Sequence, residues 1–356
     1  MKDATKKSKK KRIIFGIAIV LVVLIVIIQA VTIVLYNKTF HQRFSSNNNK
    51  GILSFEDFPQ LAREKGTFAS NKEQKIVGYF YSAKGDTDYK AVVILNHGFG
   101  GGGHKYYIPQ INYLAQNGYL VYAFDKTGND ESEGKYVKGL AQGVIDLEYA
   151  LDYVRKEKIS KNLPIMLYGH SWGAYSACTV LEKETDIKAV VSLSGFNKSQ
   201  DMLVDQGEKM YGKFVGIMKP FLTVCDFINF GFDASDSSLK GLKKTNAKVL
   251  LFHSDDDETI NVKNSFDLYK EKLGNKDNLS FVRMNGKDHD VTNSNASMKY
   301  NEEKNAELTK IVEANNDELT DEIMDTFLQT YDFQLSNELD IDVMKQIVTF
   351  YDNSLK

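Results

Sequence analysis

Seven short apolar runs recur between residue 75 and residue 284: KIVGYFY, AVVILNH, YLVYAFD, PIMLYG, AVVSLS, KVLLFHS and LSFVRM. Several are followed by stretches with helical spacing, at residues 106–117, 141–158, 172–183 and 262–273. Brief runs of Val, Ile and Leu that do not alternate with polar residues need cover on both faces. Parallel strands joined by crossover helices provide that cover. The expected class is therefore α/β, a doubly wound and mostly parallel sheet.

Two segments break the rhythm. Residues 196–245 have no strand pattern but place Phe214, Met218, Phe221, Cys225 and Ile228 at helical spacing, which predicts a helical cap inserted between two strands. Residues 296–340 are acidic and helical, with Leu319, Ile323 and Phe327 four apart. A last helix carrying Ile341, Met344, Ile347, Val348 and Tyr351 would close the domain, expected over residues 53–356.

Ahead of this domain, Ile13 to Tyr36 hold no charge in 24 residues. As a helix the run measures about 36 Å, against about 30 Å of bilayer hydrocarbon. It exceeds the apolar core of a signal peptide, and no small-x-small site closes it. We expect an uncleaved transmembrane anchor, a basic tail over residues 1–12 and a polar stalk over residues 37–52. The tail carries net +6 in a chain of net −2, so the rest carries −8. Positive charge favours the cytoplasmic side, placing the body outside the cell membrane. An acidic body argues against nucleic acid as a partner. Cys178 and Cys225 read as buried thiols, and low Cys with abundant Lys, Asn and Ile fits a bacterial surface protein.

Chemistry concentrates at the strand ends. YGHSWGAYS puts Ser171 between Gly169 and Gly173, after an apolar strand and before a helix. That is the setting of a nucleophile held on a tight turn. A serine needs a base. Of six histidines only His253 and His289 follow Ser171, and His289 lies on the loop after the last strand. The acid that orients an imidazole is sought in HSDDDETI, where Asp257 is preferred and Asp256 held in reserve. Four adjacent carboxylates could also bind Ca²⁺, although the spacing matches no EF-hand loop. LNHGFGGGGHKYY, with five glycines in residues 98–103, can turn backbone N–H groups toward an oxyanion.

These pieces fall on four strand ends in one order, and with them the chain resembles the α/β-hydrolases. It is most similar to the branch containing serine aminopeptidases, monoglyceride lipases and lysophospholipases. The resemblance rests on NHGFGG, FDKTGNDESEG, GHSWGA, HSDDDETI and GKDH, and covers roughly residues 75–292 plus the last helix. It implies Ser171 as nucleophile, Asp257 as acid and His289 as base, with the amides of Phe99 and Trp172 as the oxyanion hole. The family's usual D-x-R-G-x-G-x-S-x-G reads DKTGNDESEG here, with Thr127 for Arg and Asp130 for the second Gly. Ser254 replaces the Gly common after the strand-end His.

The implied activity is hydrolysis of a small acyl ester through an acyl-enzyme, needing no metal or other cofactor. Phe214, Met218, Phe221 and Phe227 are candidate pocket residues, or merely pack the cap. A peptidase or aminopeptidase is the alternative, with Asp201, Asp205 and Glu208 available to hold an ammonium group. A non-catalytic binding protein on the same scaffold is a third reading.

Overall fold

The computed structural model describes residues 2–48 and 51–356; Met1 of the basic tail and Asn49 and Lys50 of the polar stretch lie outside the described residues. The strands are β1 (Leu61–Ala69), β2 (Lys75–Ala83), β3 (Val92–Asn96), β4 (Leu120–Phe124), β5 (Ile165–His170), β6 (Ile187–Leu193), β7 (Lys248–Ser254) and β8 (Leu279–Met284). They form one sheet in the order β1-β2-β4-β3-β5-β6-β7-β8. The β1–β2 and β2–β4 pairs are antiparallel and every other pair is parallel.

The helices are α1 (Lys2–Phe40), α2 (Ile108–Gln116), α3 (Ala141–Lys156), α4 (Trp172–Thr179), α5 (Ser199–Tyr211), α6 (Lys219–Phe230), α7 (Ser238–Lys244), α8 (Phe266–Leu273), α9 (Asn295–Ala314), α10 (Asp321–Leu328), α11 (Phe333–Ser336) and α12 (Ile341–Leu355). Val92 and Ile94 of β3 join the core beneath α3, α4 and α8, while Val93 and Leu95 join the core beneath α2 and α12. Burial on both faces explains why β3 and β4 are unbroken apolar runs. The expected doubly wound α/β sheet is present.

One strand lacks that signature. β1 is an edge strand that exposes Arg63, Glu64 and Lys65, and charge along an edge discourages pairing with another chain. The cap residues fold as α5, α6 and α7 between β6 and β7. Within the acidic segment Phe327 is buried but Leu319 is exposed, so only part of the expected stripe packs. In α12, Met344, Ile347 and Tyr351 are fully buried, and Tyr351 Oη donates to the Leu167 carbonyl at 2.8 Å. Ile341 begins that helix off the buried face.

α1 divides into two parts. Ile13 to Ile27 carry exposed apolar side chains, and the helix from Lys10 to Phe40 is long and apolar enough to cross a membrane. Beyond it, Thr32, Tyr36 and Phe40, one helical turn apart, are buried. Tyr36 Oη donates to Asp226 Oδ1 of α6 at 2.6 Å. The polar stretch that follows lies along the body rather than free of it. Phe44 N donates to the Gly128 carbonyl at 3.1 Å, and Asp130 N returns a bond to the Phe44 carbonyl at 2.9 Å. Arg43 Nη2 donates to the carbonyls of Asp130 and Ser132 at 2.9 and 2.8 Å. The stretch satisfies the backbone of loop 125–134, and its polar composition reflects that pairing.

Truncating Phe40 removes a fully buried ring. Phe40→Ala is expected to cost about 3 kcal/mol, read as a lower midpoint for thermal unfolding of the detergent-solubilised full chain. Leu35→Ala, at a side chain 41% exposed, should leave the midpoint in place. An unchanged midpoint for Phe40→Ala would separate the end of α1 from the folded body.

Candidate active site

Ser171 sits between the end of β5 and the start of α4 with φ 55° and ψ −116°. A non-glycine residue there carries strain of about 1–3 kcal/mol. Its neighbours show what holds it. A Cβ on Gly169 would lie 2.4 Å from the Gly173 carbonyl oxygen, and one on Gly173 would lie 1.9 Å from the Asn96 carbonyl oxygen. Strand β3, strand β5 and helix α4 therefore approach as closely as backbone allows. The Ser171 N–H donates to the Leu193 carbonyl of β6 at 2.9 Å. The turn presents Ser171 at the N-terminus of α4, where helix polarity favours negative charge.

Asp257 lies on the loop after β7, its side chain wholly buried. One oxygen accepts the N–H groups of Thr259 and Ile260, each at 2.8 Å. The other accepts from His289 Nδ1 at 2.9 Å and lies 3.1 Å from His253 Nε2. Burial alone would raise the Asp257 pKa, but the His253 and His289 hydrogen bonds and the His289 charge hold it well below the usual carboxylate range. Burial works against the imidazolium of His289 too. The bond to Asp257 and the charge of that carboxylate outweigh it, so the His289 pKa is raised. With Nδ1–H given to the carboxylate, Nε2 is left to accept a proton.

The three aspartates of HSDDDETI thus have separate tasks. Asp255 pairs with Arg283 at 2.5 Å. Asp256 Oδ1 accepts from Ser254 Oγ and, at 3.0 Å, from the Gly286 N–H, fastening the loop that carries His289. Only Asp257 meets the imidazole. Ser254, which departs from the family pattern, is part of that fastening, since its Oγ also accepts the Lys287 N–H at 3.2 Å.

His289 is also held over the serine turn. Its carbonyl accepts from Ser194 Oγ at 2.7 Å and lies 3.1 Å from His170 Nε2, and the rings of His170 and His289 are 4.8 Å apart. Burial and the neighbouring His289 charge lower the His170 pKa to about 4, so His170 stays neutral beside the candidate base. Among the described residues no hydrogen bond joins Ser171 Oγ to His289. Such bonds often tighten only once substrate is bound.

Gly98 brings the glycine-rich loop against Ser171. A Cβ there would stand 3.6 Å from the Ser171 Cβ, and the Gly98 N–H donates to Tyr107 Oη at 2.9 Å. The next residue, Phe99, packs edge-on to Phe40, Phe44 and Trp172, at centroid distances of 5.5, 4.9 and 5.6 Å. Among the described residues neither the Phe99 nor the Trp172 amide donates to a protein acceptor. Beneath the loop, buried Lys126 donates from Nζ to the His97 carbonyl and lies 4.3 Å from the Trp172 ring.

Residues that sequence reasoning missed act as supports. His253 shares Asp257, Asp130 accepts from Gly103 N and Ser46 N at 2.9 and 2.7 Å, and Lys287 Nζ pairs with Asp340 at 2.7 Å. The last contact ties the far end of the acidic segment to the His289 loop. The candidate pocket residues diverge. Phe214 and Phe227 are exposed, Met218 is half-buried, and Phe221 lines a groove between α6 and α1.

The family model described as serine aminopeptidase, S33, matches residues 87–230. Among solved structures, an esterase of Pyrococcus furiosus is 18% identical, with 74% of this chain and 94% of that chain covered and a TM-score of 0.52. Est1E from Butyrivibrio proteoclasticus is 16% identical, with 82% and 99% covered and a TM-score of 0.49. No curated protein matches the chain. The likeness to the Pyrococcus furiosus esterase shows the fold.

The arrangement can carry out acyl transfer, with a pH dependence of known sign. A base whose pKa is raised stays protonated to higher pH. The acid limb of kcat/KM on an activated ester should therefore have its midpoint above about 6.5. Asp257→Asn should lower kcat by about a thousandfold or more and move the limb to lower pH, whereas Asp256→Asn should leave the limb in place. A limb unmoved by Asp257→Asn would exclude this carboxylate as the partner of the titrating base.

Proposed function

We propose that this chain, an α/β-hydrolase by fold, is a membrane-anchored serine hydrolase that cleaves carboxylic esters through an acyl-enzyme. The observation that carries the reading is the bond between Asp257 and His289, whose ring lies 4.8 Å from that of His170, the residue before a serine at positive φ. His289 Nε2 takes the proton of Ser171 Oγ as that oxygen attacks the acyl carbonyl. The amides of Phe99 and Trp172 hold the oxyanion. On collapse the alcohol leaves with the proton from His289. Water, activated by the same imidazole, then releases the acid and restores Ser171.

An ester is favoured over a peptide because two of the three cap carboxylates that could hold a substrate ammonium are engaged. Asp201 pairs with Lys219 at 2.5 Å, and Asp205 accepts from Asn264 Nδ2 at 2.9 and 3.0 Å. The Pyrococcus furiosus esterase of similar fold agrees with this choice. The uncharged run of α1 supports a membrane anchor, and its basic flank supports a body outside the cytoplasm.

A fluorophosphonate probe should label the full chain and fail to label Ser171→Ala. Turnover of p-nitrophenyl acyl esters should exceed that of aminoacyl p-nitroanilides. Absence of labelling in folded protein would favour a binding role, and preference for the anilide would favour a peptidase.

A further inference from the structure

We propose that the outward face of the cap, between Met210 and Phe232, sits in the interface of the bilayer that α1 crosses, so that the body rests on the lipid surface. The inference deepens the reading of α1 as an anchor and depends on it.

Among the described residues beyond Tyr36, eleven large apolar side chains are exposed, and eight of them fall between Met210 and Phe232. Exposure reaches 71% for Phe214, 70% for Ile228 and 84% for Phe232. A folded protein rarely leaves so concentrated an apolar surface in water, and such a patch marks a contact with a partner or a membrane. What identifies lipid here is where the patch is joined to α1.

α6 packs directly on the uncharged run. Gln29 Nε2 reaches the Phe221 carbonyl and Cys225 Sγ, each at 3.5 Å, and Tyr36 reaches Asp226. Ile25, Val26 and Ile33 of α1 line one groove with Pro220, Phe221 and Val224. The two helices thus run alongside each other, with the start of α6 nearer the middle of the apolar run. About 20 residues fill the hydrocarbon layer, so Ile13 to Thr32 suffice even when the surplus lies on the body side. Gln29 then stands about 4–5 Å inside the hydrocarbon boundary at 1.5 Å per residue. The start of α6 is held at that level, and any deeper placement of α1 lowers the cap further. An interfacial helix buries its apolar face about 5–10 Å into the headgroup and acyl boundary. Lys213 stands among the apolar side chains, where its long stem lets the ammonium group reach lipid phosphates.

The test uses the full chain in vesicles of phosphatidylcholine and phosphatidylglycerol. Single cysteines at Ile228→Cys, Phe232→Cys, Val20→Cys and Ile341→Cys carry an environment-sensitive fluorophore. Cys178 and Cys225 are buried and do not compete for the label. Labels at 228 and 232 should lose about half their intensity or more to a nitroxide high on the acyl chain and resist aqueous iodide. The label at 341, on the helix covering the opposite face of the sheet, should show the reverse. Loss at 20 without loss at 228 and 232 would overturn the seating of the cap while leaving the anchor intact. Absence of loss at 20 would overturn the anchor itself. Protection of 228 and 232 from both quenchers would assign the face to a second copy of the chain and overturn the proposal. Fluorophosphonate labelling of Ser171 is read separately and bears on catalysis alone.

Discussion

Ser171 has a backbone conformation that its side chain disfavours, and the structure around it exists to impose that conformation. The Gly173 Cα stands so close to the Asn96 carbonyl that no side chain fits, and the same holds for Gly169 against Gly173. The two glycines weld β3, β5 and α4 into one corner. Every other group at the candidate site is placed relative to that corner. The Phe99 loop leaves β3 beside it, His289 is bonded over β6 beside it, and Asp257 reaches His289 from the end of β7. Strain of this kind persists only where the surroundings over-determine it.

The second dependence runs back to the beginning of the chain. Phe99 is wedged among Phe40, Phe44 and Trp172, so one wall of the loop expected to bind the oxyanion comes from the end of α1. Asp130, standing where the related pattern has glycine, adopts φ 35° and bonds both to Ser46 after α1 and to Gly103 in the glycine-rich loop. A departure from the family pattern thus becomes a strut between the helix and the site. Removing the helix would uncover Phe99 and leave Asp226 without its Tyr36 partner.

Most of this fold could be read from the sequence because its interior strands are buried on both faces and therefore unmistakably apolar. β1 was hidden because an edge strand is protected by charge, and LAREKGTFA carries no apolar alternation. Ser171 and His289 were legible from chain order, and Asp257 from its loop. Its neighbour Asp256 has the same chemistry one residue away, and only the folded loop shows that it fastens Gly286 while Asp257 turns to the imidazole. The share of Asp257 taken by His253 had no local signal, since the two residues meet through a turn after a strand. The stretch after α1 misled by composition. The segment was expected to be a polar stalk, yet Arg43 and Ser46 bond to the backbone and carboxylate of a distant loop.

The exposed phenylalanines of the cap pose the same problem in reverse. Helical spacing of apolar residues ordinarily signals an inward face, and Phe214 and Phe227 were candidates for a pocket on that ground. In the structure Leu222, Cys225 and Phe230 supply the buried side of α6, leaving Phe227 and Ile228 on the other. A helix apolar on both sides is stable in water only when both are covered. One side of α6 is covered by the body and part of its flank by α1. The remaining side is apolar and exposed, with Phe227 and Ile228 uncovered. α1 enters the body with no slack between Tyr36 and Phe44. The bonds from Tyr36 to Asp226 and from Phe44 to Gly128 fix the cap and the site loop to one helix, and so to one another.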